Sequence, residues 1–150
     1  MYRDTVTIFN RLRANGTDTW YPTVLHGVDL NVDASAIRKA YGADTRDRAK
    51  LHIRYSSGIV IQGKQYYLPE NWSGTGITFH DGELFDFFWD GEWTGTVETV
   101  NGVQVLKWNV NDEDYKDGFF NHMKRTHDMV FAITSVARYS VIPHFEIMGA

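Results

Sequence analysis

Apolar and polar positions alternate with a period of two along several short stretches of the chain. Val6 and Ile8 face Thr5 and Thr7 across the backbone, and Phe131-Ala132-Ile133-Thr134-Ser135-Val136 and Pro143-His144-Phe145-Glu146-Ile147-Met148 alternate in part in the same way. That period sends neighbouring side chains to opposite faces of a strand, and the β-branched and aromatic residues in these runs suit a half-buried sheet. The pattern predicts strands over 5–10, about 20–30, 51–55, 58–61, 65–68, 77–79, 84–89, 96–100, 103–108, 131–139 and 143–148. Asn15-Gly16 and Asn101-Gly102 sit between such runs and predict tight hairpins, because both central residues of that turn need positive φ.

Two stretches break the period. Asp33 or Ser35 can cap a short helix through Tyr41, but Ile37 and Tyr41 form too narrow an apolar stripe to anchor it, so a loop reaching to about Lys50 is expected. Asn111 can cap a second helix with Asp112, Glu113 and Asp114 in its first turn and Lys124 and Arg125 in its last, both favourable to the helix dipole. Tyr115, Phe119, Phe120 and Met123 give that helix one apolar face. The expected fold is therefore mainly β, a small antiparallel β-barrel or sandwich in a single domain over 1–150, with an inserted hairpin region at about 74–128 and one or two short helices. Its core is expected to draw on Val6, Ile8, Val24, Leu51, Ile53, Ile133, Val136 and Ile147.

Composition narrows the chemistry. A chain of 150 residues suits one domain, and with zero cysteines it has no disulfide framework, thiolate zinc site or thiol nucleophile. The start lacks an apolar leader, so a product without a membrane span in a reducing compartment is expected. A net charge of -4 argues against a general nucleic-acid binder. Charge is nonetheless uneven: Arg38, Lys39, Arg46, Arg48 and Lys50 outnumber Asp33, Asp44 and Asp47, whereas Asp81, Glu83, Asp86, Asp90, Glu92 and Glu98 follow one another with no lysine or arginine between. Two solvated faces account for this, and so does a pair of surfaces made for a charged partner.

Reactive motifs are weak. His122 and His127 lie five apart, off the spacing of a helical zinc pair, and read as solvent-facing residues at a helix end. His144 reads as a half-covered strand residue, and Gly74-x-Gly76 lacks the lysine of a phosphate loop. Asp86 and Asp90, or Glu83 and Glu92, beside Trp89 and Trp93 have the composition of a sugar-cleaving cleft, but acids around Asp90-Gly91 more simply solvate a turn. No catalytic residue, metal or cofactor is expected, and the aromatic excess reads as core plus an interface patch that includes Trp72, Trp89 and Trp93.

The opening Tyr2-Arg3-Asp4-Thr5-Val6-Thr7-Ile8-Phe9-Asn10 and the closing Ile133-Thr134-Ser135-Val136 and Pro143-His144-Phe145-Glu146-Ile147-Met148-Gly149 resemble the first and last strands of small head-to-tail module proteins of tailed phages and prophages, the minor capsid, head-completion or stopper proteins. That resemblance implies a non-enzymatic virion component, assembled in the host cytoplasm into a homo-oligomeric ring, with portal or adaptor and tail proteins as partners. It further implies a loop after the second strand that faces the channel and packaged DNA, here Asn31 to Lys50, carrying Arg38, Lys39, Arg46, Arg48 and Lys50. The alternative from another class is a monomeric β-rich module that binds carbohydrate or another ligand on exposed tryptophans.

Overall fold

The computed structural model describes residues 2–33, 48–106 and 118–150. Ten strands and one α-helix are present among them: β1 (Asp4–Ala14), β2 (Thr17–Val32), β3 (Ala49–Arg54), β4 (Val60–Ile61), β5 (Lys64–Gln65), β6 (Phe87–Trp89), β7 (Val97–Val100), β8 (Val103–Leu106), α1 (Phe119–Thr126), β9 (Val130–Tyr139) and β10 (His144–Gly149). Six of the strands close a barrel in the order β1-β2-β3-β10-β9-β6, with β6 returning to β1 and every pair antiparallel. Closure leaves the barrel wall without a run of unpaired strand edge except where one strand outruns its neighbour.

Alternation along the strands makes two cores rather than one. Val6, Ile8, Leu25, Leu51, Ile53, Phe88, Phe131, Ile133, Phe145 and Ile147 fill the barrel. Phe9, Phe87 and Trp20 point the other way and pack outside it with Leu106 of β8 and with Phe119 and Met123 of α1. Phe9 stacks on Phe87 at 4.7 Å, and Phe119 meets Phe9 edge-on at 5.2 Å. The aromatic excess thus builds the second core, in which the β7–β8 hairpin and α1 cover one face of the barrel.

One end of the barrel is plugged. The chain between β3 and β6 sends Ile61, Ile77 and Phe79 into the inner core, and Tyr66 and Phe79 rest on Phe145 at 4.8 and 5.1 Å. Phe145 follows His144 at the start of β10, so the plug sits at the end where β9 turns into β10. The 3-10 turn Pro69–Asn71 and Trp72 belong to this plug.

Both Asn-Gly hairpins form as predicted, and Asn101 and Gly102 adopt φ of 51° and 80°. The structure departs from the sequence reading in three places. Phe87–Trp89, in the middle of the stretch read as an insertion, is the sixth barrel strand. Residues 77–79 form no barrel strand, and only Ile77 makes an isolated bridge, to Tyr66. Val24 faces the outside and is half-buried, because a bulge at Gly27 (φ 65°) reverses the parity between Val28 and Leu25. The expected helix over 33–41 and the start of the second helix at Asn111 lie outside the described residues; the described part of the second begins at Phe119 after Gly118.

Candidate functional site

Of the five basic residues assigned to a channel loop, Arg38, Lys39 and Arg46 lie outside the described residues. Arg48 sits at the loop's base, where its carbonyl accepts from Asp33 N at 2.7 Å and its own N–H donates to the Gly149 carbonyl at 2.7 Å. Lys50 belongs to the barrel wall as part of β3, and its ammonium meets Glu146 at 3.5 Å. Next to it Asp29, His52 and Glu146 occupy one row across three strands, with His52 3.5 Å from each carboxylate.

The three tryptophans read as interface residues pack within their own chain. Trp72 is 6% exposed, wedged between Tyr21 and His80 with its indole N–H donating to the Gly76 carbonyl at 3.4 Å. Trp89 and Trp93 are half-buried against the outer core, Trp89 on His127 at 4.8 Å and Trp93 edge-on to Phe9 at 5.5 Å. The exposed apolar residues are elsewhere. At the β9–β10 turn Val141 is 96% exposed and Ile142 73%, with Tyr139 beside them.

Asp86 does not solvate a turn. It is fully buried (0% exposed), and its carboxylate accepts from Asn10 Nδ2 at 2.8 Å, Arg11 N at 2.7 Å, His80 N at 2.8 Å and the His80 ring at 2.9 Å. Arg11 N is the next outward amide of β1 beyond the three residues paired with β6, so the Asp86 side chain continues that ladder where β6 has not yet begun. Burial alone would lower the His80 pKa; the hydrogen bond and charge of Asp86 outweigh it and raise the value. The Arg11 guanidinium lies over Trp20 and Phe85, and burial lowers its pKa. Asn10 Oδ1, Thr78 Oγ1 and Arg11 Nε are buried here without a protein partner. The cluster ties β1, the plug and the start of β6 together.

A cleft of about 440 Å³ opens between β2 and the β7–β8 hairpin, lined by Pro22, Thr23, Val24, Trp93, Val97 and Gln104 among others, with Gln62 and Lys64 at one side. A second hollow of about 240 Å³, between Tyr21, Gly76 and Gly102, continues past Lys64. The Lys64 ammonium donates to the Thr23 hydroxyl at 2.8 Å, and burial lowers its pKa. Gln62 holds the short β4–β5 hairpin to β2, its Oε1 accepting from His26 N at 3.0 Å while its Nε2 donates to the His26 carbonyl.

The histidines read as solvent-facing at a helix end are half-buried: His122 stacks on Phe119 and His127 packs on Trp89, with burial and then the neighbouring His122 lowering the His127 pKa. His144 opens β10 and stacks on Tyr139 at 4.9 Å. Among the described residues no group of three His, Asp or Glu side chains is placed to hold a metal ion, and no helix is long and apolar enough to cross a membrane.

The chain matches the family described as a family of unknown function (DUF6751) over residues 1–150, and it is a member of that family. No curated protein and no solved structure matches it.

Proposed function

We propose that this protein is a structural subunit of the head-to-tail connector of a tailed phage or prophage, of the head-completion or stopper kind, and that copies of it form a ring between the DNA-filled head and the tail. The observation that carries the reading is the polarity of the barrel. At one end Val141 and Ile142 stand in solvent on a hairpin tip, and at the other Asp33 and Arg48 bring together the two ends of the charge-rich loop. Large apolar side chains in water favour a partner surface, and a ring subunit needs unlike surfaces to meet its neighbours. The placement of β1, β9 and β10 in one closed wall agrees with the strands on which the resemblance rests.

The competing sugar-binding reading asks for at least two tryptophans displayed as a platform. Trp20 and Trp72 are buried, and Trp89 and Trp93 are half-buried in the outer core, so that reading loses its motive among the described residues.

Mass spectrometry of particles released from the encoding host tests the proposal. The chain is expected in multiple copies per particle, with electron microscopy placing it at the head–tail joint. The double variant Val141→Asp, Ile142→Asp should fold with an unchanged melting temperature yet give particles without tails. Particles that lack the chain, or tails joined normally by the double variant, would sink the proposal.

A further inference from the structure

Lys64 stands where two hollows meet. It borders both the 440 Å³ cleft beside Val24 and the 240 Å³ hollow beside Tyr21 and Gly76, and Gln104 of β8 borders both with it. Lys64 is half-buried, and its ammonium donates at 2.8 Å to the hydroxyl of Thr23, a residue only 7% exposed. Arg13 and Lys50 each hold an acid of their own chain, Asp18 and Glu146. The Lys64 ammonium is paired with no carboxylate among the described residues, and burial lowers its pKa with no acid acting in the other direction. Taking an ammonium partly out of water costs free energy that one neutral hydroxyl offsets only in part.

The polar groups around the cleft are short of acceptors. Both ends of the Gln62 amide are taken by the His26 backbone, and the Thr23 oxygen is taken by Lys64. Trp93 forms part of the wall, and its indole N–H is enclosed there without a partner. Glu92, next to Trp93 in the chain, meets His26 at 3.4 Å instead. Val24, Val97 and the Trp93 ring add apolar surface to the same cleft. Since β8 runs alongside β2, the space admits a compact molecule rather than an added strand.

We propose that the cleft binds a small organic carboxylate, whose anionic group pairs with Lys64 while its apolar body rests among Val24, Val97 and Trp93. The volume suits such a molecule, because small-molecule sites run from about 300 to 1,000 Å³. A phosphate fits the donors less well, since one ammonium borders the cleft and no arginine joins it among the described residues. The competing account is that Lys64 only fastens the β4–β5 hairpin to β2 through Thr23. The inference goes beyond ring assembly and does not rest on it.

The test uses the full chain, labelled with nitrogen-15 and carbon-13, with phenylacetate as the probe and phenylacetamide as its neutral counterpart. Phenylacetate should bind saturably and shift the Val24 amide, the Trp93 indole N–H and the side-chain signals of Lys64. Phenylacetamide should bind about tenfold more weakly or worse, having no charge to offer the ammonium. Lys64→Met should erase that preference. Its melting temperature should stay within about 4 °C of wild type, because no acid of the chain loses a partner. Four results overturn the inference: no saturable binding at millimolar phenylacetate, equal affinity for acid and amide, shifts that spare Val24 and Trp93, or a larger fall in the melting temperature of Lys64→Met. The last would show that the ammonium is already matched within the chain and serves as a fastener.

Discussion

Asp86 shows how far a single side chain can differ from the role its neighbours in sequence suggest. Replacing it with alanine strands the amides of Arg11 and His80 without their acceptor and leaves Asn10 Nδ2 with the Thr78 carbonyl alone. A loss of about 3–5 kcal/mol is expected in urea unfolding of Asp86→Ala, the cost of breaking a buried charged pair. A loss below about 1 kcal/mol would show that the carboxylate is not the hub. The His80 pKa is raised in the folded state, so the pairing adds stability that is fully present below the unfolded value of about 6.5 and disappears as pH rises through the folded value. Stability should accordingly fall as pH is taken upward from 6, and His80→Gln should flatten that dependence. Some of this was readable: Asn10 continues the inward row of Val6 and Ile8, and a polar residue there calls for a partner. Nothing in the sequence pointed to Lys64, whose partner Thr23 lies on a strand remote in the chain, or to His80, whose nearby partner Asp86 reads as one more acid around a turn.

Strands were legible where alternation was long and illegible where pairing alone defines them. β1, β3, β9 and β10 follow the period-two pattern, whereas β6 is three residues long and is identified by its place between β1 and β9. The parity of β2 misleads because the bulge at Gly27 inserts one residue between the inward Leu25 and Val28. Ile53 and Val24 test this directly. Ile53→Ala, inside the barrel and fully buried, should cost about 2–5 kcal/mol, and Val24→Ala, facing out, well under half of that. Equal losses in denaturant unfolding would mean the bulge is misplaced. Gln62→Ala should leave the barrel's melting temperature nearly unchanged but speed amide exchange across β4–β5, since that two-stranded hairpin depends on the His26 clamp.

For the whole molecule, the base of the connection between β2 and β3 is part of the barrel wall. The Asp33–Arg48 and Arg48–Gly149 backbone bonds close the wall ahead of that connection. Replacing residues 36–47 with a short Gly-Ser linker should shift stability by less than about 1 kcal/mol, because loop length enters closure entropy only logarithmically. The same change should impair DNA retention in particles. Retention equal to wild type, scored by electron microscopy of filled heads, would return the loop to ordinary surface.

β10 stands between β3 and β9, paired to both. A ribosome delivers β3 more than ninety residues before the strand that completes its outer edge, so throughout that interval the nascent chain carries a half-built wall with Leu51 and Ile53 uncovered. Closure of this kind is long-range pairing, which is slow to form, in the range of about milliseconds to seconds. Production in the cell should therefore lean on holding chaperones, and a chain stopped at Pro143 should partition into aggregates although it lacks only seven residues.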